Sequence, residues 1–226
     1  MLTSLVEVLA VLVAVFVRIW LTSKPYEQWQ WAIGVYILVS YIAHLDAVCC
    51  RQWRSMSSQE FWKRFWKELL RTWGLWPRNW RRGWGTIVCA FALNLLVLLF
   101  AGYRYSFQHF PWHVFWLKLP WYLFWGPLQQ WVLCWFVQRL AVVFRTPIAM
   151  AIASGVVFAI VHLPNWPLVV ICLANGAVSA YVLRRYNNLP AVGLCHSILG
   201  ALTLVTVPES WLRHMIVGPN YWKWHP

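Results

Sequence analysis

An all-α fold, a polytopic transmembrane helix bundle of about seven spans with one basic, Trp-rich interfacial helix, follows from three features of this sequence. Hydrophobic residues make up 61 % of the 226 and charged residues only 11 %, a balance outside that of water-soluble globular domains. Apolar windows of about 20 residues recur along the chain, the length that a helix rising 1.5 Å per residue needs to cross a bilayer core of about 30 Å. Basic residues crowd the connections on one side only. Neither a Gly/Ser-rich linker nor a fixed-period repeat divides the chain, so residues 1–226 read as a single integral membrane domain.

The windows run from Leu2 to Ser23, Trp29 to Cys50, Thr86 to Tyr105, Trp121 to Val143, Pro147 to His162, Leu168 to Leu183 and Leu189 to Val207, and the prolines fall mostly at their ends. The first reads as an anchor rather than a cleaved signal peptide: it has no basic leader, carries Glu7 and Arg18 within its apolar run, and offers no small-residue cleavage site before Lys24. Phe107 to Pro120 is expected to lie at the interface. Nine basic residues between Arg51 and Arg82, together with Arg139, Arg145, Arg184 and Arg185, fall in connections that face one way; Lys24, Arg104, Lys118, Arg213 and Lys223 face the other. Cytoplasmic loops hold the excess of Lys and Arg. The expectation is therefore a cytoplasmic N-terminus, in the plasma (inner) membrane of a bacterium.

The net charge of +13 does not point to nucleic acid. Residues 51–84 form a cytoplasmic amphipathic segment in which Trp62, Trp66, Leu69, Trp73, Trp76 and Trp80 recur every three or four positions, with Lys63, Arg64, Lys67 and Arg71 opposite. That pattern suits the bilayer and its anionic lipid headgroups as partners. Pro77 is expected to break or kink the helix. Cys89, Cys134, Cys172 and Cys195 stand singly in spans, and Cys49-Cys50 is an adjacent pair without C-x-x-C spacing. They read as small buried hydrophobes, with no disulfide framework and no metal site. His44 and Asp46, two positions apart, point to different helix faces and read as an interfacial pair.

Polar groups inside spans are costly in hydrocarbon unless paired, so those that persist line interior cavities. Gln129-Gln130 in GPLQQWVLC, His162 in VVFAIVHLPN and His196 in YNNLPAVGLCHSILG form the outstanding set. A buried imidazole could also ligate a tetrapyrrole metal, but a hydrogen-bonded core histidine accounts for the same residues, and no cofactor is expected.

Those three stretches, within residues 121–207, resemble the CAAX protease and bacteriocin-processing (CPBP, or Abi) family of glutamate-type intramembrane peptidases. The family carries E-E-x-x-x-R after a proline on one helix, F-x-x-x-H on the next and H-x-x-x-N on a later one. Phe158 and His162 match the second motif, with Leu163-Pro164-Asn165 trailing; His196 matches the start of the third, where Gly200 stands for the asparagine. In the first, Gln129 and Gln130 follow Pro127 in place of both glutamates, and Cys134 replaces the arginine. The resemblance implies that Gln129 and His162 occupy the site of a water that attacks a peptide carbonyl, with Gln130 beside it. It places His196 and Gly200 at the oxyanion.

An amide does not titrate and cannot serve as a general base, a loss that typically costs 10²–10⁴-fold in rate. Two amides, unlike two carboxylates, have no need of a neighbouring cation, which fits Cys134. Two readings therefore stand. One is an intramembrane endopeptidase in which His162 takes the proton. The other is a pseudoenzyme, a structural, binding or chaperone-like subunit of a membrane protein complex that holds a membrane-tethered peptide or a transmembrane partner through its many aromatics. Polar stitching between helices accounts for the glutamines equally well.

Overall fold

The structure, a computed structural model, describes residues 2–21, 33–41, 57–75, 80–105 and 112–223. Every regular element among them is helical. They are α1 (Leu2–Trp20), α2 (residues 33–41), α3 (Ser58–Thr72), α4 (Trp84–Tyr105), α5 (Trp112–Leu140), α6 (Pro147–Ile160), α7 (Trp166–Tyr186), α8 (Leu189–Thr206), α9 (Glu209–Leu212), a 3₁₀ turn (Arg213–Met215) and α10 (Asn220–Lys223). Four helices, α1, α4, α7 and α8, are long and apolar enough to cross a bilayer; α6 is apolar but shorter. His44, Asp46, Cys49, Cys50, Trp76, Pro77 and most of the second expected span lie outside the described residues.

Of the interfacial segment expected from Phe107 to Pro120, residues 107–111 lie outside the described residues. From Trp112 onward it is the start of α5, whose 29 residues include Pro120 and Pro127 and extend about 43 Å. A helix proline removes one backbone hydrogen bond, a loss that neighbouring helices and side chains make good in membrane proteins. Arg139, expected in a connection, sits in the last turn of α5 and is 8 % exposed. Its Nε lies 2.5 Å from Glu7 of α1 and its Nη2 donates to the Ser40 carbonyl at 3.4 Å. A carboxylate and a guanidinium on separate apolar helices meet because either alone would face hydrocarbon uncompensated.

The α3 helix begins with a capping box. The Ser57 hydroxyl accepts from the Glu60 N–H, and the Glu60 carboxylate accepts from the Ser57 N–H. It ends in a Schellman turn, with Leu75 N–H on the Leu70 carbonyl and Gly74 at φ +71°. Leu69 is buried, whereas Trp62 and Trp66 stand exposed. The C-terminal end of α3 is thus docked while its N-terminal half projects.

Adjacent asparagines in YNNLP bolt this end of the bundle together. Asn187, in the left-handed region at φ 49°, donates to the Arg71 carbonyl at 2.6 Å. Asn188 caps α8 and donates to the Trp80 and Arg82 carbonyls, each at 3.0 Å.

Small residues set the core spacing. A Cβ on Gly193 of α8 would lie 3.0 Å from Pro127 of α5, and one on Gly155 of α6 would lie 2.8 Å from backbone atoms of α7. With no hydrophobic drive between helices in lipid, such close backbone approach is what holds them. One buried cluster joins Leu133, Trp135, Met150, Phe158, Ala180 and Val192; a second joins Leu98, Phe115, Leu199, Leu202 and Val205.

Candidate functional site

The site is assembled where α5 packs on α8 beside the end of α6. Gln129 and Gln130 sit two and three residues beyond Pro127, His196 three beyond Gly193, and the Gly193–Pro127 contact brings the two helices together at that level. His196 Nε2 and Gln129 Oε1 are 2.9 Å apart. An amide oxygen only accepts, so His196 donates from Nε2 and keeps its lone pair on Nδ1.

His162 follows α6 in a turn, and its Nδ1 lies 2.8 Å from the Phe158 carbonyl. The carbonyl again only accepts, so the proton sits on Nδ1 and the Nε2 lone pair is left for another partner. The Phe158 ring lies edge-on to both imidazoles, 5.3 Å from His162 and 5.8 Å from His196. Gly176 of α7 makes room for it: a Cβ there would sit 3.0 Å from the ring. Among the described residues no hydrogen bond joins His162 to Gln129, Gln130 or His196; the Phe158 ring is the common neighbour of the two imidazoles.

Gln130 is fully buried, and neither its amide nitrogen nor its oxygen has a partner among the described residues. Cys134, one turn on, is buried beside the Tyr41 hydroxyl and accepts weakly from Gln138 at 3.7 Å. Asn165 is a fastener. Its Oδ1 caps α7 at Leu168 N–H, and its Nδ2 donates to the carbonyls of Leu212 at 2.7 Å and Ile216 at 3.2 Å. Gly218 N–H adds a bond to the Leu163 carbonyl, so residues 209–218 cover the turn that bears His162. Glu209 and His214 pair across that cover.

At Gly200 the space that a side chain would need is occupied by Tyr122, whose ring carbons lie 2.7 and 2.8 Å from where a Cβ would stand. The Tyr122 hydroxyl donates to Met215 Sδ at 3.1 Å. Sequence reasoning passed over Tyr122, Gly176 and Ser197. The four-residue spacing of Gly193, Ser197 and Ala201 on α8 was the available signal for a close helix contact.

A cavity of about 40 Å³ opens between α4, α7 and α8, with His196 in its wall together with Asn94, Asn175, Ser179, Phe91 and Leu199. His196 thus bridges α5 and this cleft.

Residues 111–202 match the family described as type II CAAX prenyl endopeptidase Rce1-like. Neither a curated protein nor a solved structure matches the chain. The matched segment holds α5, α6, α7 and most of α8, and with them all eight residues singled out above: Gln129, Gln130, Cys134, Phe158, His162, Asn165, His196 and Gly200. It contains not one aspartate or glutamate. The described carboxylates are all engaged elsewhere: Glu7 with Arg139, Glu60 in the α3 cap, Glu68 with Arg71 and Glu209 with His214.

Proposed function

We propose that this chain is a non-hydrolysing relative of the CAAX endopeptidases, with Gln129 and Gln130 where the peptidases carry their glutamates. It serves as a binding, structural or chaperone-like subunit that holds a membrane-tethered peptide or a transmembrane partner. The observation that carries the reading is the absence of any carboxylate from residues 111–202, joined to the use of Gln129 as a hydrogen-bond acceptor for His196. Hydrolysis of a peptide bond needs a group that takes a proton from water. The retained seam is polar but neutral, which suits binding inside a low-dielectric bundle. The small cavity between α4, α7 and α8 has His196 in its wall and is large enough for about one water beside it. The N-terminus faces the cytoplasm of a bacterial plasma membrane, and anionic lipid covers exposed Trp62 and Trp66 beside Lys63 and Arg64.

One observation favours a second reading, a slow intramembrane endopeptidase. The bond from His162 Nδ1–H to the Phe158 carbonyl leaves Nε2 able to take a proton from water directly. Incubation of the purified chain with photo-crosslinkable membrane-tethered peptides separates the two. Adducts carrying full-length peptide support the binding subunit, and truncated peptide in the adduct or the supernatant supports the endopeptidase.

A further inference from the structure

A second cavity, unrelated to the histidine site, lies at the end of the bundle where α1 begins and α5 and α7 finish. Its volume is about 620 Å³, inside the roughly 300–1,000 Å³ range of small-molecule sites. Thr3, Ser4 and Glu7 line it from α1, Ser40 from α2, and Arg139 and Arg184 from the last turns of α5 and α7.

The charge chemistry of this cavity is selective. Two guanidiniums face one carboxylate. Arg139 uses Nε on Glu7 and one Nη2 hydrogen on Ser40, which leaves three of the five N–H groups of its fork without an acceptor among the described residues. Arg139 is almost wholly buried, so bulk water does not serve them, and the cavity is where they open. Arg184 is exposed and has no partner among the described residues. The first turn of α1 adds backbone N–H groups that a helix leaves unbonded, and the Thr3 and Ser4 hydroxyls add two more donors. The carbonyl ends of α5 and α7 oppose an anion here, and the two arginines on those same last turns offset them.

The surroundings identify the occupant. Leu2, Val6, Leu9 and Val13 stand exposed along α1, and Val142 stands exposed at the rim of the cavity. A polar pocket at the end of a membrane helix, continued by an outward apolar stripe, matches a molecule with an anionic head and acyl chains. We propose that this cavity binds the phosphate of an anionic phospholipid headgroup, gripped by Arg184 and the unused side of the Arg139 fork, with the acyl chains along α1. This site is distinct from the diffuse attraction of α3 to a charged surface, because its donors come from α1, α5 and α7 and line one open cleft.

Thermal unfolding of the full chain in non-ionic detergent tests the proposal, titrated with inorganic phosphate, dihexanoylphosphatidylglycerol or dihexanoylphosphatidylcholine. The expected result is a saturable rise in melting temperature with phosphatidylglycerol. Half-saturation should move about tenfold or more upward in Arg184→Gln, the loss of one charge-assisted contact, and stay put in Arg185→Gln, a neighbour outside the cavity. Because Arg139 is buried and pairs with Glu7, Thr3→Val rather than an Arg139 variant is the second test and should weaken binding without unfolding the chain. Saturation by inorganic phosphate alone would support the anion site and assign it to a free phosphate rather than to a lipid. No saturable shift with either anion, an equal response to phosphatidylcholine, or equal weakening in Arg184→Gln and Arg185→Gln would overturn the proposal.

Discussion

Placing an asparagine at position 200 restores the side chain that the peptidase motif carries there, and the structure predicts that the chain resists it. The Cβ alone would stand 2.7 and 2.8 Å from two carbons of the Tyr122 ring, whereas carbon atoms rest at about 3.5–4.0 Å. The ring must therefore retreat by about 1 Å, which also stretches its 3.1 Å bond to Met215. Overpacking of this kind costs about 1–3 kcal/mol, and a weakened bond to sulfur adds about 0.5 kcal/mol. The better helix propensity of Asn over Gly returns a few tenths of a kcal/mol. The net cost is about 1.5–3 kcal/mol, or roughly 3–12 °C in melting temperature for a chain of this size. Thermal unfolding of Gly200→Asn in detergent reads it directly, and Gly200→Asn/Tyr122→Leu should recover part of the loss because the clash is gone. An unchanged or raised melting temperature in the single variant would refute the claim that Tyr122 fills the space at Gly200.

Asn165→Ala removes a helix cap and leaves the Leu212 and Ile216 carbonyls without their donor. The expected cost is about 2–4 kcal/mol, seen as faster hydrogen exchange across residues 209–218. For α3, the Ser57 hydroxyl first and the Ser57 N–H second hold the Glu60 carboxyl below its ordinary value of 4.5. A lowered folded value means that the cap contributes above the unfolded value and loses its contribution as pH falls through the folded one. A spin label at Lys63 should therefore gain mobility as pH drops below about 4.5, and Glu60→Gln should flatten that dependence.

The helices that could be read from sequence are those whose signals are local. The amphipathic face of Trp62, Trp66, Leu69 and Trp73 identifies α3, and the N-x-P starts at Asn165 and Asn188 mark where α7 and α8 begin. The continuation of α5 through Pro120 was not legible, because a proline ends most helices in water and is tolerated where other helices shelter the freed carbonyl. The Glu7–Arg139 pair was equally hidden, since each residue alone reads as a span-end charge and only the packing of α1 on α5 joins them. Within the site, polarity inside apolar spans and the family resemblance pointed to Gln129, His162 and His196. It could not say that Gln129 would engage His196 while His162 turned to its own helix. That choice depends on the Phe158 ring between the imidazoles and on the space that Gly176 leaves for it.

The central claim is that no peptide bond is hydrolysed here. Single-turnover incubation tests it most directly, with protein in excess over membrane-tethered peptides and products identified by mass. The proteins are wild type, His162→Ala, Gln129→Glu and Gln129→Glu/Cys134→Arg. A weakened peptidase should gain roughly 10²-fold or more from the restored glutamate. No product is expected from any of the four, because a carboxylate at 129 would meet the same His196 donor while position 200 still lacks its side chain. Product from the wild type that disappears in His162→Ala would contradict it.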